Sequence, residues 1–243
     1  MPRASGRPVD LGSLHPDDLG EGQARSVNAS GLIAGVSETR TAVLEANDHA
    51  FVYDPAAGRM LDLGIDDSHA NGINAAGQVV GAYFTPREEK HAFLYDPAYG
   101  AFDLHGLVGL GGRTSEAAAI NDWGLVVGWG TDARRTWRAF AADPYSGWAV
   151  HLEGEESLAF AVNNGGLVVG RYRRLGVFVR ALRWDLATGE QRDLNALLAP
   201  EGDASRYGLL EAWGVNDAGQ VAVSGSHAVD GVRYDRAIVL TPA

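Results

Sequence analysis

Short apolar runs, broken by Asn, Gly and Pro, recur along this chain at a nearly fixed spacing. The core of each unit is Ile/Val-Asn-x-x-Gly followed by a β-branched run, at Val27-Asn28, Ile73-Asn74, Ile120-Asn121, Val162-Asn163 and Val215-Asn216. The Asn residues are 46, 47, 42 and 53 positions apart. Spacings of this size mark one supersecondary unit per repeat. In the second unit, His69 to Ile73 predicts a short strand a. Asn74 to Gly77 predicts a turn, because Asn bonds its own following backbone and Gly supplies positive φ. Gln78 to Tyr83 predicts strand b and His91 to Tyr95 strand c. Asp96-Pro97 opens a second turn, and Ala101 to Leu104 predicts strand d. No stretch carries a helical stripe long enough to compete.

Four antiparallel strands in units of about 40–45 residues predict propeller blades. The expected fold is all-β: a single domain over residues 1–243 forming a closed five-bladed β-propeller. Its blades fall at about 13–64, 65–107, 108–152, 153–198 and 199–243. The last blade lacks a strand d. Pro8-Val9-Asp10-Leu11-Gly12 matches Met60-Leu61-Asp62-Leu63-Gly64, so residues 8–11 are expected to supply that strand and lock the ring.

His49-Ala50-Phe51-Val52-Tyr53-Asp54-Pro55 and His91-Ala92-Phe93-Leu94-Tyr95-Asp96-Pro97 resemble the HAF repeat, a bacterial family named for His-Ala-Phe. The likeness extends to the Ile-Asn-x-x-Gly-x-Val-Val-Gly pieces and the Asp-Leu-Gly ends, and covers residues 8 to 240. It degenerates at Arg138-Ala139-Phe140, Arg180-Ala181-Leu182 and Arg236-Ala237-Ile238. The resemblance implies a propeller-like repeat, often extracellular, and brings no reaction or catalytic residue.

Repetition sorts scaffold from candidates. The turn Asn residues, the His or Arg before Ala on strand c and the Asp residues that open the c–d turns recur from blade to blade, and read as structural. Asp10, Asp62, Asp103 and Asp193 on strand d read as edge guards. The short a–b and c–d turns share one face. The variable b–c and d–a connections open on the other, where function concentrates on a rigid scaffold.

Strand a, nearest the axis, carries the variation. Five residues before the Asn stand Gln23, His69, Glu116, Leu158 and Glu211; three before it stand Arg25, Asn71, Ala118, Phe160 and Trp213. Strict strand alternation puts both sets on one face. His69, Glu116 and Glu211 are the catalytic candidates, because two carboxylates across a ring suit acid/base work on a sugar or an acidic C–H. A His with two carboxylates also fits a divalent metal in principle, but nothing further supports one and no cofactor is expected. Gln23, Arg25, Asn71, Phe160 and Trp213 are the ligand-binding candidates at the mouth. A second asymmetric group comprises Trp129, Trp137, Arg134, Arg171 and Arg173, with Arg135 and Arg174 beside them. Arg forks bind carboxylate or phosphate, and exposed indoles bind flat rings. Tyr207 lies in the longest d–a connection. The plain alternative for all of these is a solvated, internally paired rim.

Composition narrows the partners. A net charge of −11 argues against nucleic acid, whose binders carry a basic footprint. The chain holds no Cys, so disulfides, thiol catalysis and Cys-based zinc sites are excluded. Of the 20 basic residues only Lys90 is Lys. No segment has membrane-span length and the first thirty residues lack a signal-peptide apolar stretch, so the expectation is cytoplasmic as given, or secreted if this is a mature form. The expected partner is a small molecule or carbohydrate, with no nucleic acid and no membrane, and a monomer is the simplest state. Binding at the mouth leads; a lyase, cyclase or glycosidase and a protein-interaction scaffold are the alternatives.

Overall fold

The computed structural model describes residues 8–40, 46–174, 178–198 and 206–242. They form five antiparallel sheets in chain order. The first holds β1 (Gly22–Val27), β2 (Ile33–Arg40), β3 (Ala46–Asp54) and β4 (Arg59–Asp62). The second holds β5 (Ser68–Ile73), β6 (Val79–Phe84), β7 (Lys90–Asp96) and β8 (Gly100–Asp103). The third holds β9 (Gly111–Ile120), β10 (Val126–Asp132), β11 (Trp137–Asp143) and β12 (Trp148–Leu152). The fourth holds β13 (Leu158–Val162), β14 (Leu167–Arg174), β15 (Phe178–Asp185) and β16 (Glu190–Asp193). The fifth has only β17 (Tyr207–Val215), β18 (Val221–Val229) and β19 (Val232–Leu240). One-turn helices, α1 (His105–Val108) and a 3-10 turn at Leu194–Leu197, sit in two d–a connections that read as plain loops in the sequence.

The repeated Asn does two jobs. Its Oδ1 accepts amides of its own turn, as from Ala76 and Gln78 at Asn74. Its Nδ2 reaches the next blade: Asn28 to the Asn74 carbonyl (2.9 Å), Asn74 to Asn121 (3.0 Å), Asn121 to Asn163 (3.1 Å) and Asn163 to Asn216 (3.0 Å). The ladder stops at Asn216, whose Nδ2 turns back to Gln220. Three of the five recurring strand-c cations are also explained, while Arg138 turns instead to Asp132 of β10. His49 bonds Asp62, His91 bonds Asp103 and Arg180 bonds Asp193, each pairing strand c with strand d.

Small and β-branched residues let the sheets pack face to face, and an apolar cluster fills each of the four junctions. Between the first and second sheets it includes Ala34, Val52, Ala70 and Phe93; between the second and third, Leu94, Leu104, Ala117 and Phe140. Leu182 and Trp184 anchor the third–fourth junction, and Val169, Leu209 and Val223 the fourth–fifth.

Two expectations need correction. The ring is not closed: among the described residues no apolar cluster and no strand pairing joins the fifth sheet to the first. Val27 of β1 is accordingly 66% exposed, where its counterpart Ile73 is 7% exposed. Residues 8–11 also do not form the fourth strand of the last blade; they carry no regular secondary structure and pair with no strand. Their Asp-Leu-Gly match encodes a turn. Asp10 Oδ1 accepts the Gly12 amide at 3.0 Å, as Asp62 accepts that of Gly64 at 2.7 Å. Local turn chemistry needs no neighbouring edge, so the motif does not dictate a pairing.

Candidate functional site

A β-bulge falls at the same place on strand a in every sheet. The register slips at Arg25, Asn71, Ala118, Phe160 and Trp213, the positions three before the repeated Asn. A bulge leaves one residue without a cross-strand partner and re-aims its side chain. The strict alternation expected from the sequence is therefore broken at the variable position. The Gly of the strand-b Val-Val-Gly run permits it in the second to fourth sheets, as Gly35 does in the first. A Cβ on Gly81, Gly128 or Gly170 would lie 1.9 to 2.0 Å from the carbonyl oxygen of His69, Glu116 or Leu158. The fifth sheet departs from this rule: Val223 faces Ala212, and a second bulge appears at Leu210.

The bulges build two unlike clusters along the inner strands. Across the first three sheets the cluster is polar. Arg25 Nη1 donates to Asn71 Oδ1 at 3.0 Å, and Nη2 reaches Gln23 Oε1 at 3.4 Å. Asn71 Nδ2 donates to Glu116 Oε1 (3.1 Å) and to the Ala117 carbonyl (3.0 Å). His69 Nε2 lies 3.3 Å from Glu116 Oε1, and Lys90 Nζ 3.1 Å from Oε2. Burial works against ionisation of Glu116, but the His69 hydrogen bond and the Lys90 charge outweigh it and hold the carboxyl at about 2. Such a group stays ionised near neutrality and serves poorly as a general acid. Lys90, the single lysine, was visible in the sequence as an oddity of composition; its place at the start of strand c, beside the mouth, was the signal for this role.

Across the third to fifth sheets the cluster is aromatic. Trp129 meets Phe160 edge-on at 5.8 Å, and Phe160 stacks on Trp213 at 4.5 Å with planes 7° apart. Trp213 remains 54% exposed, its Nε1 donating to Ser224 Oγ. Beside this stack a cavity of about 370 Å³ opens between the third and fourth sheets, lined by Trp129, Trp137, Glu156, Leu158, Arg171 and Arg173, among others. Its lining comes from β10, β11, β13, β14 and β15, with Glu156 added by the d–a connection before β13. Trp137, at the start of β11, is 42% exposed, and its carbonyl accepts the Ser157 amide. Arg171 pairs with Glu211 at 2.6 Å and Arg173 with Glu156 at 3.0 Å.

The candidates thus divide. His69 and Glu116 meet, but Glu211 belongs to the other cluster, held by Arg171, so the three catalytic candidates do not converge. Among the described residues no three His, Asp or Glu side chains gather to hold a metal. Trp129, Trp137, Arg171 and Arg173 line one cavity, joined by Glu156 from the d–a connection. Arg134 is exposed at the b–c turn, where its amide is held by Asp132, and Tyr207 stacks on His227 at 4.4 Å; neither lines the cavity. The Arg174 side chain and residues 199–205 of the long last connection lie outside the described residues. No described helix is long and apolar enough to cross a membrane.

No protein-family model matches the chain, and no curated protein matches it. Among solved structures it is similar to TolB from Acinetobacter baumannii, with TM-score 0.55 and 11% identity, over 90% of this chain and 55% of that one. It is also similar to a puromycin hydrolase, with TM-score 0.52 and 16% identity, over 90% of this chain and 37% of that one. The chain therefore spans little more than half the length of the first and little more than a third of the second. At these identities the likeness is one of fold. With five blade-like antiparallel sheets and these likenesses, the chain is built on a β-propeller scaffold whose first and fifth blades are not joined among the described residues.

Proposed function

We propose that this protein binds a carbohydrate in the cavity between its third and fourth blades. The observation that carries the reading is the meeting of two indoles, Arg171, Arg173 and Glu156 around one space of about 370 Å³, with Glu211 paired to Arg171. That volume is at the low end of the roughly 300–1,000 Å³ of small-ligand sites. An exposed indole such as Trp137 offers an apolar face to the C–H side of a sugar ring. Guanidinium forks and carboxylates supply donors and acceptors for neighbouring hydroxyls. Each fork already serves a carboxylate, Arg171 that of Glu211 and Arg173 that of Glu156, which favours a neutral polyol over a phosphate. The HAF-repeat resemblance is part of this proposal for the scaffold, and adds nothing about the ligand.

The test is isothermal titration against a panel of neutral mono- and disaccharides. Trp137→Ala and Arg173→Ala are each expected to weaken binding of a sugar from the panel at least tenfold while the melting temperature stays put. Binding that survives both substitutions, or no sugar bound at millimolar concentration, overturns the proposal.

A further inference from the structure

The cavity opens toward one end of the strands, and the short turns at the other end have no part in it. There the a–b and c–d turns of a blade lie together. A Cβ on Gly31 or Gly77 would sit 3.5 or 3.6 Å from Pro55 or Pro97, and one on Gly124 would sit 3.4 Å from the Tyr145 ring. These turns are built from small residues. The third place of the a–b turn holds Ser30, Ala76, Trp123, Gly165 and Ala218. The two places before the c–d glycine hold Ala56-Ala57, Ala98-Tyr99, Tyr145-Ser146 and Ala187-Thr188. Tyr99, Trp123 and Tyr145 break the pattern, at places where the other blades fold without a ring. All three belong to the second and third blades, and they are 73%, 78% and 51% exposed. Tyr145 ties those blades together: its hydroxyl donates to Asp96 and accepts from Gln78, and its ring lies against Gly124, next to Trp123. The Trp123 amide is held by Asn121 Oδ1 at 3.0 Å, while its indole stays in solvent. Exposed rings grouped on one surface mark a contact site.

The charge around these rings has one sign. The nine turns, at 28–31, 54–58, 74–77, 96–100, 121–124, 143–147, 163–166, 185–189 and 216–219, hold six Asp and no Lys, Arg or His. Arg59, just past the first blade's c–d turn, is the base next to them in sequence. All six carboxylates accept from neutral donors, and none enters an ion pair among the described residues. Asp122, the residue before Trp123, accepts the Ala75 amide at 2.9 Å and Asn164 Nδ2 at 3.0 Å. These neutral donors hold its carboxyl below the usual range and leave its charge uncancelled. At the cavity the opposite holds, since Glu156 and Glu211 are each met by an Arg.

We infer that this turn face docks a basic segment of another protein, an extended stretch whose Arg or Lys side chains lie over Trp123 and reach the aspartates beside it. An indole face attracts a cation through its ring quadrupole, and a guanidinium also pairs with a carboxylate through two parallel hydrogen bonds. Tyr145 and Tyr99 carry the aromatic surface into the second blade. Rings alone would serve any apolar partner; the uncompensated aspartates select a cationic one.

The experiment measures fluorescence anisotropy of a labelled, flexible peptide of alternating Arg and Ser, titrated with the full chain. Matched peptides carry Glu or Pro in place of Arg. The Arg peptide is expected to bind, more weakly as salt rises, and the other two are not. Trp123→Ala is expected to weaken binding at least about fivefold. Its melting temperature stays put, because Ser, Ala and Gly fill the same place in other blades. Trp123→Phe, which keeps a ring, recovers part of the loss. Asp122→Asn is expected to weaken binding by about two- to threefold. Glu155→Gln removes the same charge from the exposed d–a connection at the other end of the strands, and leaves binding unchanged. The inference is overturned if no Arg peptide binds at millimolar concentration, or if Trp123→Ala binds it as well as the wild type. Equal losses from Asp122→Asn and Glu155→Gln also overturn it, since they mean attraction to net charge alone. So does equal binding of the Pro peptide, which means an apolar dock without preference for a cation.

Discussion

The two halves of the inner rim rest on the same backbone device and use it in opposite ways. In the first two blades the bulge positions carry Arg25 and Asn71, and the side chains around them satisfy one another through Glu116 of the third. In the last two, Phe160 and Trp213 occupy the same positions and stack, leaving ring faces and a cavity beside them. A saturated polar network has few donors or acceptors left for a ligand, and removing one member exposes the rest to a desolvation cost. An aromatic shelf has no such obligation. The polar half therefore reads as a staple across blades, and the aromatic half as the part with surface to spare.

The comparison breaks most completely where both halves share their support. Gly128 lies opposite Ala117 in the third blade, where the two clusters meet. Gly128→Val forces a Cβ to within 2.0 Å of the Glu116 carbonyl oxygen. Denaturant titration should show a loss of about 3 kcal/mol or more, the upper range for overpacking, with both clusters disturbed.

Next comes acid. The carboxyl of Glu116 is depressed from 4.5 to about 2 on folding. The unfolded chain then binds the proton more readily, so the contribution is present above about pH 4.5 and is lost as pH falls through 2. It is worth on the order of 3 kcal/mol at neutral pH. Urea unfolding followed from pH 6 to 2 should show this slope in the wild type. Glu116→Gln should flatten it while lowering stability at pH 7. An unchanged slope would mean that the polar half is not a staple.

A smaller effect is expected in the other half. Phe160→Ala removes the middle ring of a partly buried stack, and should cost about 2 kcal/mol by denaturant titration, without the acid slope changing. The smallest effect on stability separates support from surface. Trp137→Ala, at an exposed position, should shift the unfolding free energy by less than about 0.5 kcal/mol. Sugar binding by the same variant should nevertheless fall.

Much of this architecture was legible because turns are written locally. Asn at the a–b turn, Gly after it and Asp-Pro at the c–d turn each act within a few residues. The same locality misled at the N-terminus, where the Asp10 to Gly12 turn resembled a strand end without the strand. Neighbour relations were less visible. The step from each Asn amide to the next blade, and the pairing of strand-c His or Arg with strand-d Asp, join positions that recur separately in the sequence. Only the registers between strands bring them together. The bulge had a written trace, Ala on strand a facing Gly on strand b in the first four blades, but period-two alternation hid it. The asymmetric Trp and Arg positions pointed to the cavity because symmetry had already assigned the rest; of the others that shared that asymmetry, Arg134 is exposed on its turn and Tyr207 stacks on His227.

The bulge shared by the five inner strands has a consequence for how such a protein changes. Because the ladder skips the bulged residue, that position is exempt from the size and β-propensity rules that govern its neighbours. Arg, Asn, Ala, Phe and Trp occupy it in a single chain on one backbone. The inner rim is in effect a row of five sockets of common gauge, into which residues can be exchanged from blade to blade without rewiring the sheets.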